Sequence, residues 1–179
     1  MDTIADQMTA ASTAIDGSRV SQSARDANVD GQLVGIRRLL LATDLSPASE
    51  RAADKAIGLA LESGAELLVL SVIDPRRLRL PGGLFLRRID QERARIEAGV
   101  HTLVSRARAA GAKATFLVWE GDPAEAILAA SDAENVDVIL LGSHGRGRLG
   151  RLVLGSVSSR VSEEARCQVL VIGAIAAAL

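Results

Sequence analysis

The sequence predicts an α/β fold, a doubly wound parallel sheet of five strands with helices on both faces. Three observations carry it. From Ile36 onward, short runs of Val, Leu and Ile alternate with segments whose apolar residues recur at three-and-four spacing, the pattern of successive βαβ units. Those runs are nearly continuous instead of alternating with polar residues, as strands covered on both faces require. The chain has 179 residues, 48% apolar and 24% charged with a net charge of -1, which suits one soluble core better than two.

The elements follow in order. Residues 38–43 (RLLLAT) make the first strand and lead into Asp44-Leu45-Ser46-Pro47, where Ser46 is placed to cap a helix and Pro47 suits its first position. That helix runs through Ser63 with Ala52, Ala53, Ala56, Leu59 and Ala60 on its buried stripe, and Gly64 ends it. Glu66–Ile73 (ELLVLSVI) is the second strand. A helix over about 86–110 presents Ile89, Ile96, Val100, Leu103 and Ala107 on one stripe, and 113–119 is strand three. Pro123 opens a helix through Ala133, residues 137–141 (DVILL) form strand four, a helix covers 154–165, and Gln168–Ile172 (QVLVI) is strand five. In such a sheet, ligands bind beyond the carboxyl ends of the strands, where the strand order reverses. Residues 1–35 differ, being rich in Ala, Ser, Thr, Asp and Gln, and read as a disordered tail ahead of a folded domain at 36–179. The tail holds five Asp against Arg19 and Arg25, so the domain itself is close to neutral; a solvated extension and a short partner-binding helix near residues 4–14 both fit it.

Composition removes several classes of function. Only Phe85, Phe116 and Trp119 are aromatic and there is no Tyr, so a base-stacking nucleic-acid surface is not expected. Cys167 is the single cysteine, and with His101 and His144 it leaves too few soft ligands for a structural zinc site. The longest apolar stretch, 169–179, falls short of the ~20 residues of a membrane span. The first fifteen residues hold Asp2 and Asp6 and no basic residue, unlike a secretory signal. A cytoplasmic location without a membrane partner is the expectation. The arginine-rich stretch 76–88 is compatible with a partner patch or with a solvated loop, and its Pro-Gly-Gly interrupts any continuous amphipathic helix.

The most informative stretch is GSHGRGRLGRLVLGSVS, residues 142–158, between strand four and the last helix. Gly142 and Gly145 let the backbone leave the strand and approach a ligand with no Cβ in the way. Gly155 and Ser156 open the helix, whose free N–H groups and positive dipole end favour an anion, while the Ser156 and Ser158 hydroxyls are available to a phosphate or ribose. Arg146, Arg148 and Arg151 add positive charge. Within the stretch, Gly145-Arg-Gly147-Arg-Leu-Gly150 matches the dinucleotide fingerprint, but it follows the fourth strand and the next strand ends Ile172-Gly173-Ala174 without the carboxylate that fingerprint needs for ribose. The ATPase phosphate loop requires a Gly-Lys pair, which this chain lacks.

Gly142-x-x-Gly145, nine residues, then Gly155-Ser156 resembles the ATP-binding signature of the universal stress protein family. LLLATDLSPASERAADKAIGLA and LGSVSSRVSEEARCQVLVI resemble that family's opening and closing segments, so the similarity covers residues 36–173. Arg166-Cys167-Gln168 departs from the family's frequent Pro-Cys-Pro at the entrance of the last strand. The resemblance implies a Rossmann-like domain of the adenine nucleotide alpha hydrolase kind. It implies Thr43 and Asp44 beside the nucleotide, a base-reading backbone at Val72, and ribose and phosphate contacts from Gly142, Gly145, Gly155, Ser156, Val157 and Ser158. ATP, with Mg²⁺ accompanying the triphosphate, is the implied ligand, and a homodimer through the C-terminal strand the implied assembly. The leading expectation is an ATP-binding regulatory module of the stress response. A slow ATPase or nucleotidyl-transfer enzyme, and a structural homodimer that binds no nucleotide, are the alternatives. No catalytic residue is assigned: phosphoryl transfer needs a positioned base or water-orienting group, and His144 is the only histidine near the loop.

Overall fold

The computed structural model describes residues 35–77, 84–143 and 155–173, all within the second of the two units into which the chain divides, Leu33–Leu179. The readings of the N-terminal tail, of Gly145, His144, Arg146, Arg148 and Arg151, and of the middle of the arginine-rich stretch fall outside the described residues.

The elements run β1 (Arg38–Ala42), α1 (Pro47–Ser63), β2 (Glu66–Ile73), a 3₁₀ turn (Pro75–Arg77), α2 (Leu84–Ala109), β3 (Lys113–Glu120), α3 (Pro123–Ala133), β4 (Val138–Gly142), α4 (Ser156–Glu164) and β5 (Gln168–Ile172). All five strands are parallel, in the order β3-β2-β1-β4-β5. The sheet therefore changes winding direction between β1 and β4, and a crevice opens past their carboxyl ends. Side chains alternate across the strands. Leu39 and Leu41 of β1 and Leu67 and Val69 of β2 pack with Ala52, Ala56 and Leu59 of α1 and Val100 and Val104 of α2. Leu40, Leu68, Leu70 and Ile139 face the opposite way, against Ile127 and Ala130 of α3 and Val161 of α4. Both faces of the central strands are thus dry, which is why their sequences show no polar alternation.

Local chemistry sets the boundaries. The Ser46 hydroxyl accepts from the Ser49 N–H and Pro47 takes the first helical position. Gly64 closes α1 with φ 71°, a left-handed residue that a side chain would strain. Asp122 caps α3, its carboxylate accepting from the N–H groups of Ala124 and Glu125. Expected and observed ends differ by one or two residues where hydrogen bonding overrides apolar pattern. β1 stops at Ala42, although the Thr43 N–H still donates to Leu70 O at 2.9 Å. β3 continues to Glu120, which stays in register with Ile73. On α2, Ile96, Val100, Leu103 and Ala107 are buried as expected, while Ile89 is half-buried.

β4 begins at Val138, one residue after Asp137, whose N–H still donates to Arg38 O at 2.9 Å and whose carboxylate accepts from the N–H groups of Arg37 and Arg38 at 2.7 and 2.9 Å, pinning the start of β1. Those two donors hold its carboxyl below the usual range. Asp137→Ala should lower stability by about 2 kcal/mol, read as a reduced urea midpoint, since two charge-assisted bonds vanish. A depressed folded-state pKa gives stability that is complete above the unfolded value, about 3.9, and is lost as pH falls through the folded one. The difference between parent and variant should accordingly be full at neutral pH and shrink in acid below about pH 4. A difference that persists unchanged in acid would show that the carboxylate's charge plays no part.

Candidate functional site

Past the carboxyl ends of the strands lies a cleft of about 540 Å³, and the residues singled out in the sequence converge on it. β1 delivers Thr43 and Asp44, β2 delivers Val72, β4 ends in Gly142, and Gly155, Ser156, Val157 and Ser158 enter from the start of α4.

Each has a distinct local role. Thr43 is buried; its hydroxyl shares a 2.9 Å hydrogen bond with Ser49 Oγ and accepts from the Leu45 N–H at 3.0 Å. That holds Leu45 at φ 59°, a left-handed conformation uncommon outside glycine. Leu45 in turn packs on the α1/α2 core, and a Cβ added at Gly99 of α2 would meet Leu45 Cδ1 at 2.4 Å. The loop after β1 is therefore shaped from inside, leaving Asp44 exposed at the cleft with Oδ1 accepting from the Ser46 N–H. At α4, Gly155 is the N-cap and supplies no side-chain cap bond. The first-turn N–H groups thus keep their capacity for an outside acceptor. Ser156 is exposed beside them, and the buried Ser158 lines the same cleft while donating its hydroxyl to Gly155 O at 3.0 Å. Val157 packs partly on the α3/α4 core.

The structure adds residues that the sequence reading passed over. Glu92 and Arg95 of α2 line the cleft and form a two-pronged ion pair, 2.6 and 3.0 Å. The Arg95 guanidinium holds the Glu92 carboxyl below its ordinary range, and Arg95 is raised by Glu92 and, more weakly, by the charge of Asp44. Ser71, wholly buried, lines the wall and its hydroxyl has no partner among the described residues; the Ser143 hydroxyl, just past β4, is likewise buried without one among them. Arg76 spans from Asp74 to Asp122, and Arg160 of α4 reaches Asp122 at 3.3 Å. These contacts tie the turn after β2 to α3 and α4 along the rim. A serine inside the otherwise apolar LLVLSVI was the available signal for Ser71; the α2 pair carried none, because i,i+3 ion pairs on helices usually face only water.

No group of three or more His, Cys, Asp or Glu among the described residues could hold a metal. A divalent ion here would take most of its oxygens from a bound phosphate chain and water.

A doubly wound parallel sheet with helices on both faces and a cleft at its switch point defines a Rossmann-like α/β domain. The chain belongs to the universal stress protein family, whose sequence model matches residues 35–173. It is 39% identical over 141 residues to a universal stress protein of Thermus aquaticus, covering 76% of this chain and 98% of that one. The solved structure of MJ0577, a universal stress protein of Methanocaldococcus jannaschii, superposes with a TM-score of 0.70 at 25% identity, covering 78% of this chain and 96% of the other. A universal stress protein solved in complex with cAMP superposes with a TM-score of 0.60 at 26% identity, over 77% and 97% of the two chains. No helix among the described residues is long and apolar enough to cross a membrane.

Proposed function

We propose that this chain binds an adenine nucleotide, ATP with Mg²⁺ as the leading candidate, in the switch-point cleft, and acts in the stress response as a homodimeric regulatory module without rapid turnover. The observation that carries the reading is that the N-terminus of α4, Gly155-Ser156, lines the same cleft of about 540 Å³ as Asp44 and Val72. The cAMP complex of a related protein supports the same ligand class. Among the described residues that line the cleft, none is arranged as a base beside a nucleophile.

Titration calorimetry with ATP and Mg²⁺ should give a micromolar Kd, roughly -8 kcal/mol. Mass spectrometry of the natively purified chain should find adenine nucleotide. Absence of heat at millimolar ATP would leave a nucleotide-free structural dimer, and rapid phosphate release would make the chain an enzyme. Asp44→Ala should weaken ATP by about tenfold, the value of one good polar contact, with an unchanged circular dichroism spectrum. Equal affinity would return Asp44 to a turn role, in which its carboxylate accepts from the Ser46 N–H.

A further inference from the structure

The cleft has two sides, one toward α3 and α4 and one toward α2. Alternation along β2 directs Leu67, Val69 and Ile73 toward α1 and α2, and Ser71 shares their parity, while Val72 packs toward α3 and α4. On the α2 side the lining is Thr43, Ser49, Ser71, Glu92, Arg95 and Ile96. Thr43 and Ser49 satisfy one another at 2.9 Å, and Glu92 and Arg95 are fastened together at 2.6 Å. That leaves the hydroxyl of Ser71, 0% exposed and with no partner among the described residues. A buried hydroxyl without a hydrogen bond is costly, and folded proteins rarely keep one unless something else completes it. This one lies in the cleft wall at the carboxyl end of β2, two strand spacings, about 10 Å, from β4. On the nucleotide reading, phosphates at Gly155 and Ser156 would let the base extend across β1 toward this place.

We propose that the Ser71 hydroxyl hydrogen-bonds the base of the bound nucleotide from the α2 side, as a side-chain contact separate from the backbone of Val72. This rests on the nucleotide reading of the cleft. The partner is a nitrogen heterocycle, because a hydroxyl both donates to a ring nitrogen and accepts from an exocyclic amine. Phosphates anchored at α4 do not reach it.

The test compares the parent with Ser71→Ala, and with Ser71→Cys as a variant of closer volume, by calorimetry with MgATP and by competition of inorganic tripolyphosphate against a fluorescent ATP analogue. Both variants should bind ATP about tenfold more weakly, the loss of one hydrogen bond, and tripolyphosphate as the parent does. The ligand-free Ser71→Ala protein should melt at the same temperature as the parent or higher, since an unsatisfied buried group has been removed. Undiminished ATP affinity in both variants overturns the assignment while leaving the nucleotide reading intact. So does an equal loss for tripolyphosphate, or a lower melting temperature of the ligand-free variant, which would make the hydroxyl structural. A parent chain that binds neither probe overturns the nucleotide reading and this inference together.

Discussion

Replacing Gly155 by Val is expected to weaken ATP binding by about a hundredfold, at the upper end of what overpacking a close contact costs. The reasoning depends on the backbone. Gly155 has φ -69° and ψ 163°, an extended conformation open to any residue, so a side chain here does not strain the free protein. Valine is a poorer N-cap than glycine, which costs α4 about 1 kcal/mol at most. The larger penalty falls on the complex, where two methyl groups occupy the space an anion needs in order to reach the first-turn N–H groups. Calorimetry gives the affinity and a thermal melt gives the stability. A variant that binds ATP like the parent would remove α4 from the binding site, and a variant that loses affinity only because it unfolds would show it in the melt.

The second large effect concerns assembly. β5 lies at the edge of the sheet and pairs only with β4 among the described strands. Its Val169, Leu170, Val171 and Ile172 are half-buried, an apolar row that neither helix layer covers fully. Bare apolar edges are usually blunted by charge, proline or cover, and this one has neither charge nor proline. Pairing with the same strand of a second copy across a two-fold axis would satisfy the edge N–H and C=O groups and cover the row. Light scattering on a sizing column should therefore give about twice the 18.7 kDa chain mass. Val171→Lys, which places two like charges near the axis, should move the population to monomer at micromolar concentration. A parent that elutes as a clean monomer would refute the dimer.

Much of the fold was legible because its information is local. Ser46-Pro47 and Gly64 mark the ends of α1, Pro123 marks the start of α3, and ELLVLSVI and QVLVI coincide with β2 and β5 to the residue. Asp137 escaped because the pattern DVILL reads as strand from its first letter, while its carboxylate serves a strand a hundred residues away. The lining of the cleft was legible at Gly142, Gly155 and Ser156, which the sequence marks as the end of a strand and the start of a helix. It was illegible where ordinary residues acquire meaning through position. Glu92 and Arg95 reach the cleft only because α2 crosses it, and Ser158 looks like Ser156 in sequence, yet its hydroxyl turns back to Gly155 O.

The placement of β1 between β2 and β4 bears on when the cleft comes into existence. Synthesis proceeds from the N-terminus, so β1, β2 and β3 emerge first and can form a half-sheet, with one long side of β1 still lacking its neighbour. Contacts as distant as that between Arg37 and Asp137 close slowly, because the loop entropy is lost before the contacts repay it. The walls carrying Thr43, Asp44 and Ser71 thus precede the walls carrying Gly142 and Gly155 in time as well as in sequence. A chain shortened before β4 lacks the walls that Gly142 and Gly155 supply. Any ligand that binds the completed cleft would therefore resist above all the detachment of the final βαβ segment.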